Sequence, residues 1–502
     1  MLFNSPIYIF AFLPVVVLCY ILCNKNGYRT LGKAWLVICS LFFYGYWNPY
    51  YLVLIIGSIV VNFAVGNWLQ RSFGESDDAL SLPRKKVVAF GVLFNVALLA
   101  YYKYADFFID NINLLSGFEI GLLQIALPLA ISFFTFQQIA YLVDSYREKT
   151  HHYNFLDYSL FVSFFPQLIA GPIVHHKQMM PQFLAQENTL VNWSNIATGV
   201  TIFFIGLFKK VIIADTFAIW ANAGFDSSAA LTFFEAWGAS LSYTFQLYYD
   251  FSGYTDMAIG AALLFNIRLP INFNSPYKAT NVQDFWRRWH ITLSNWLRDY
   301  VYIFMGGNRV GKVRIYFNLF LTFVIGGLWH GAGWTFVIWG ALHGGALVVH
   351  RLWTQLGMRL NLFLGWLLTF SFVSISWVFF RAESLSRATS ILRSMVDLDS
   401  LAISKNFAGL IAYLSPAIFP QITNFQAESF VNIYTIEHMM IFGIAALALP
   451  NSVQIIGYSS NKGNTIFKPS ISSAFLMSIV VFCAVSSYFG NTSPTKFLYF
   501  NF

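Results

Sequence analysis

The chain has 502 residues, of which 57% are hydrophobic and only 10% charged, against about 25% charged in a soluble globular domain. With 54 Phe, 27 Tyr and 15 Trp and a mean hydropathy of +0.59, it carries too little charged surface to stay in water. A soluble enzyme, a disordered chain and a nucleic-acid-binding module are excluded, and an all-α polytopic membrane protein remains. The net charge of +8 reads as basic residues in cytoplasmic loops that orient the spans, rather than as a functional basic patch.

A bilayer-crossing helix needs about 20 apolar residues. In chain order, candidate spans fall at 7–23, 33–48, 50–69, 87–104, 121–145, 155–170, 196–220, 231–248, 253–267, 313–328, 333–350, 362–380, 436–450 and 472–490. Several are short enough to be re-entrant or interfacial, so about eleven true crossings are expected. The N-terminal run has no basic stretch before it, and Leu18 and Leu22 precede Cys19 and Cys23 where a lipoprotein signal wants a small residue. It reads as a retained first span. Lys25, Arg29 and Lys33 in one loop, and Arg71, Arg84, Lys85 and Lys86 in the next but one, place those loops in the cytoplasm and the N-terminus outside. Pro166, Gly171 and Pro172 then interrupt the pattern. Within 381–430, SLSRATSILRSMVDLD spaces its apolar residues as an amphipathic helix does. No internal repeat breaks the chain, which reads as one membrane domain: N-terminal helices over 1–120, a core over 121–350 and C-terminal helices over 351–502. Cys19, Cys23, Cys39 and Cys483 form no C-x-x-C pair, and read as small hydrophobes.

Ionisable groups inside a membrane are costly and are functional hypotheses by default. They concentrate over 240–350. In QLYYDFSGYTDMAIG, Gln246 and Asp250 share a helix face, and Asp256 follows a break at Ser252–Gly253. They form a polar lining, or they glue helices through hydrogen bonds. In NVQDFWRRWHITLSNWLRDYVYIFMGGNR, residues 281–309, Asp284 and Arg288 pair at i,i+4. Trp286 and His290 share the other face. This Trp- and Arg-rich segment either binds an anionic cofactor arm through Arg287, Arg288 and Arg298 or anchors at the interface. In GGLWHGAGWTFVIWGALHGG, His330 sits between Trp329 and Trp334 among glycines. It is a satisfied core residue or a neutral general base for a hydroxyl. His343 lies thirteen residues on and does not align with it. The loop pairs His151–His152 and His175–His176 have no metal-ligand spacing, and no metal is expected. H-E-x-x-H, G-x-S-x-G and Walker A patterns are absent.

W-R-R-W-H at 286–290, L-W-H-G at 328–331, Q-L-Y-Y-D-F-S-G-Y-T-D at 246–256 and P-Q-L-I-A-G-P-I at 166–173 together resemble the membrane-bound O-acyltransferase family, in its bacterial alginate O-acetylase-like branch. The D-alanyl transfer protein of teichoic acid modification and the peptidoglycan O-acetyltransferases are relatives. The likeness covers most of the chain and is strongest over 125–350. It implies a ring of helices around a thinned centre with a tunnel. It makes His330 the catalytic histidine and His290 the second functional position. Trp286, Arg287, Arg288, Trp289, Asn295, Arg298, Trp329 and Trp334 become donor- or substrate-binding residues, with His290 or nearby Trp and Asn groups stabilising the oxyanion. It further implies a thioester donor, acetyl-CoA, and O-acetylation of an exported polysaccharide such as alginate. An extracytoplasmic acetyltransferase partner and a bacterial inner-membrane location belong to the same picture. Transfer of D-alanyl, or of acetyl to peptidoglycan, is the alternative. A non-catalytic transporter or flippase is the alternative from another class, and the lack of a repeat between halves speaks against it.

Overall fold

The computed structural model describes residues 1–72, 78–147, 153–169, 171–401, 403–404, 425–426, 429–458, 470–490 and 497–498. The described residues are 76% helical. A two-residue parallel pairing of Ile403–Ser404 with Phe425–Gln426 is the only strand structure among the described residues. Seven described helices are long and apolar enough to cross a membrane: Tyr8–Lys25, Tyr51–Arg71, Pro83–Ser116, Trp193–Phe225, Lys312–His330, Leu362–Arg381 and Ile471–Tyr488. The chain is therefore an all-α polytopic membrane protein. Helices Arg29–Gly45, Ile131–Tyr146 and Ile433–Ala448 are shorter. Trp334–Gln355 is long enough, but His343, His350 and Arg351 dilute its apolar character.

Two sequence expectations about continuity are corrected. The spans 231–248 and 253–267 are one helix, Phe233–Leu263, which runs unbroken through Ser252 and Gly253. Glycine inside a membrane helix is tolerated where neighbours cover it, and both residues are buried. Conversely, the expected 121–145 span is helical only from Ile131, after Pro128 and a left-handed Ala130.

The chain divides into two compact units. The first comprises 1–207, 254–271 and 499–501. Its core is aromatic: Phe3, Tyr8, Phe43 and Phe165 pack ring on ring, and Phe265 meets Phe165 edge-on at 5.8 Å. Polar groups tie its helices as membrane glue does. Asn62 and Asn95 exchange amide hydrogen bonds at 3.2 and 2.6 Å, and Gln138 donates to Ser58 at 3.0 Å.

The second unit comprises 208–253, 272–498 and 502. Its central feature is the hairpin of Lys312–His330 and Trp334–Gln355. A Cβ on Gly340 would stand 2.4 Å from the Phe323 carbonyl oxygen and 3.1 Å from the Gly327 Cα. Only glycine permits this backbone-to-backbone approach. A π turn, Lys209–Ala214, interrupts the 193–225 helix and turns two lysines inward. Lys210 meets Asp250 at 2.6 Å and Asp215 at 2.9 Å, and Lys209 donates to Ser452 at 2.9 Å. Leu385–Ser394 is the amphipathic helix expected in 381–430, with Ala388 and Ile391 buried. Most of 402–428 lies outside the described residues. Cys39 is buried; Cys19, Cys23 and Cys483 are half-buried, and all four are free thiols.

Candidate active site

The site grows from two interruptions of helix within the second unit. The 312–330 helix stops at His330 because Gly331 and Gly333 are extended, and a Cβ on Gly331 would stand 2.2 Å from the Phe336 ring. Phe336 therefore folds back over the break, and His330 ends its helix buried at 3% exposure.

The 281–309 segment is not the one helix that its patterning suggests. It is Val282–Arg288, Ile291–Trp296 and the π turn Leu297–Tyr302. Asn281 caps the first piece through the Asp284 N–H at 2.8 Å, and Arg288 pairs with Asp284 at 2.9 Å as its spacing predicts. The break is at His290, whose φ of 43° and ψ of 53° are left-handed. Few non-glycine residues hold that conformation without surrounding support. Here Asn272 supplies it: its carbonyl accepts the Ile291 N–H at 3.0 Å and its side chain accepts the Thr292 hydroxyl at 2.9 Å. The turn aims a fully buried imidazole inward. Trp286 and His290 thus lie on separate elements rather than on one helix face.

The two histidines meet. Their ring centroids are 6.3 Å apart at 80°. Phe251 stands 4.8 Å from His290, Trp329 lies beside both, and Phe380 and Trp339 each stand 5.1 Å from His330. Burial at His290 works against the imidazolium and lowers its pKa, so this ring is neutral at physiological pH. An apolar chamber around two imidazoles suits proton transfer to and from a hydroxyl.

The remaining residues of the sequence reading separate. Trp286 is buried and donates its indole N–H to His343 Nδ1 at 3.2 Å. Trp289 is buried against Phe285, Tyr277 and Trp377. Arg287 and Asn295 are exposed, and Trp334 is 52% exposed at the start of its helix. Arg298 holds Asp299 through two bonds at 2.7 and 3.0 Å and lines a cavity of about 440 Å³ with Tyr302, Asn308, His350 and Arg351. Asn308 accepts from both Tyr302 and Arg351 there. Gln246 is buried. Asp250 is bound by Lys210 and by the Leu498 N–H at 3.0 Å. Asp256 is buried in the first unit.

Sequence reasoning set His343 aside and gave Trp339 no role. It measured helical spacing across Gly331–Gly333, where the chain reverses. The four glycines in the eight residues 326–333 were the signal that the spacing argument does not carry through. His343 is fully buried. Its Nδ1 accepts from Trp286, so Nε2 carries the proton and donates to Ser376 Oγ at 3.0 Å, which donates on to the Val373 carbonyl at 2.8 Å.

The pair His151–His152 lies outside the described residues. His175 and His176 gather in the first unit on Asp144, at 3.0 and 3.1 Å, a grouping with the ligand types of a metal site. His175 Nδ1, however, accepts the Lys177 N–H at 3.2 Å. Its Nε2 therefore carries a proton and faces Asp144 as a donor, whereas a metal ligand donates from its other nitrogen. The cluster is a hydrogen-bonded clasp. Burial lowers the His176 pKa from 6.5 to about 4, ahead of the opposing pull of Asp144. An unfolded chain takes up this proton below pH 6.5 while the folded unit refuses it until about pH 4. Stability should therefore fall as pH drops through that window. The thermal unfolding midpoint of detergent-purified protein, followed from pH 7 to pH 4, should decline less steeply in His176→Gln; an identical slope would contradict this.

Comparison with known proteins identifies the family. The model of the membrane-bound O-acyltransferase family matches residues 143–392, a stretch that holds both histidines. The chain is 46% identical to a peptidoglycan O-acetyltransferase of Helicobacter pylori, over 100% of this chain and 98% of that protein. It is 40% identical to a probable alginate O-acetylase, AlgI, of Pseudomonas aeruginosa, over 84% of this chain and 81% of the relative. It is 32% identical to a teichoic acid D-alanyltransferase of Bacillus subtilis, over 43% and 56%. Paired buried histidines in a polytopic α-helical membrane protein, inside a matched family region and with near-complete coverage of a relative, lead to one conclusion: the chain belongs to the membrane-bound O-acyltransferase family and is an O-acyltransferase.

Proposed function

We propose that the protein moves an acetyl group from a cytoplasmic thioester, acetyl-CoA, to hydroxyls of a cell-envelope glycan, with peptidoglycan as the acceptor. The pairing of His290 and His330 in one apolar chamber carries the chemistry. His330 takes the proton of the attacking hydroxyl as the new C–O bond forms at the thioester carbon. When the intermediate collapses and the C–S bond breaks, His330 returns that proton to the thiolate. His290, held neutral, orients the hydroxyl. The Arg298–Arg351 cavity offers paired guanidinium groups for the donor's phosphates.

The choice of peptidoglycan over alginate rests on the near-complete coverage of the Helicobacter pylori relative. The hydroxyl attacked first belongs to the glycan or to a serine of an extracytoplasmic acetyltransferase that completes the transfer. The protein sits in the bacterial inner membrane, its N-terminus outside and its early basic loops in the cytoplasm. Peptidoglycan and exopolysaccharide should be purified from cells with and without the gene. Ester-linked acetate should vanish from peptidoglycan alone. Loss confined to exopolysaccharide would move the acceptor to the alginate type, and unchanged acetate in both would overturn the reading.

A further inference from the structure

Trp339 falls within the glycine- and tryptophan-rich stretch around His330 but was given no role there, and its ring is buried in the chamber. It is 1% exposed. Its centroid lies 5.1 Å from His330 at 90°, 5.5 Å from a stacked Trp377, 5.1 Å from Phe380 and 4.8 Å from His343. The neighbouring Gly340 sits on the Phe323 and Gly327 backbone, so the helix that carries Trp339 has no room to shift. The indole is thus held by contacts on several sides.

One part of it is not accounted for. The Nε1–H is buried and meets no acceptor among the described residues. A buried donor left without a partner costs about 1–3 kcal/mol, and such groups in a native structure call for an explanation. Trp286, whose indole meets the Trp339 ring edge-on at 5.8 Å, has its N–H satisfied by His343. Among the described residues the fold provides an acceptor for the Trp286 indole N–H and none for that of Trp339.

We propose that the Trp339 indole N–H is the hydrogen-bond donor for the acyl carbonyl oxygen, a one-donor oxyanion hole built next to the base. This rests on the reading of His330 as that base. As the hydroxyl oxygen bonds to the thioester carbon and its proton passes to His330, the carbonyl π pair moves onto oxygen. The Trp339 N–H meets that charge in a water-poor, preorganised setting. The charge returns to re-form C=O as the C–S bond breaks, and the thiolate takes the proton back from His330. His343 acts as a positioning residue: its proton is committed to Ser376, and its ring packs on Trp339.

The test is Trp339→Phe in the full-length detergent-purified protein, assayed for CoA release and transfer of labelled acetyl. Phe keeps a flat ring against His330, Trp377 and Phe380 and deletes the N–H. The expected result is a fall in kcat of about a hundredfold, with KM for acetyl-CoA nearly unchanged and the unfolding midpoint retained. Wild-type kcat, or a loss seen only in KM, would overturn the proposal. Should Trp339→Phe fail to fold, replacement by the benzothiophene analogue of tryptophan, with sulfur for N–H, decides the matter by the same kcat criterion. His330→Ala in the same assay separates the two readings. If it is inactive while Trp339→Phe is fully active, only the donor assignment falls. If it is active, the base reading falls, and the donor assignment built on it falls with it.

Discussion

His330→Ala is expected to remove acetyl transfer almost entirely while the protein remains folded. A positioned general base contributes about 10²–10⁴-fold, and here the same imidazole must return its proton to the leaving thiolate, so one substitution removes both steps. The cost to folding should be smaller than for an apolar core truncation. His330 is the last residue of its helix, and the helix is held by Gly327 and Gly340 rather than by the imidazole. The check is ester-linked acetate on purified glycan from cells expressing the variant, with protein level and detergent monodispersity measured alongside. Full acetylation would remove His330 from the mechanism. His290→Ala should be less severe in kcat, because His290 orients rather than transfers, but it vacates a fully buried ring position against Phe251.

The largest effect on stability is expected at Lys210. Its ammonium is buried and serves Asp250 at 2.6 Å and Asp215 at 2.9 Å, while the other Asp250 oxygen accepts the Leu498 N–H. Lys210→Met keeps the length of the side chain and leaves a buried carboxylate with one backbone N–H and no cation. Removing one partner of a buried ion pair costs about 3–5 kcal/mol, a large part of the 5–15 kcal/mol that holds a typical domain together. The variant should be recovered in low yield or unfold at clearly lower temperature. Adding Asp250→Asn should restore part of the loss, since an amide is far cheaper to bury than a carboxylate. Equal stability of Lys210→Met and wild type would mean that the pair does not support the fold.

Helix limits were largely legible where glycine and proline punctuate the chain. The 312–330, 334–355 and 362–381 helices fall within a few residues of their expected spans, because Gly311, Gly331 and Gly333 mark the turns. The same residues misled where burial overrides propensity, as at Ser252–Gly253 inside the 233–263 helix. Both histidines were legible from their tryptophan-rich settings. Their proximity was not, since forty residues separate them and a left-handed turn at His290 aims one ring. Asp250 read as polar lining because its partner Lys210 lies forty residues upstream, where a π turn rotates it inward. Trp339 and His343 were hidden for a related reason: periodicity describes one helix, and the chamber is assembled from the ends and breaks of several.

The left-handed turn at His290 also acts as a filter on sequence drift. Asparagine and glycine enter that backbone region readily, whereas β-branched residues do so only at a steep steric cost. Substitution at the second histidine is therefore screened twice, first by the backbone and only then by the chemistry. Asparagine is the polar replacement that passes the first screen while keeping groups able to bind a hydroxyl. A chain drifting at this position would keep its turn and trade an imidazole for an amide long before it could sample valine or isoleucine.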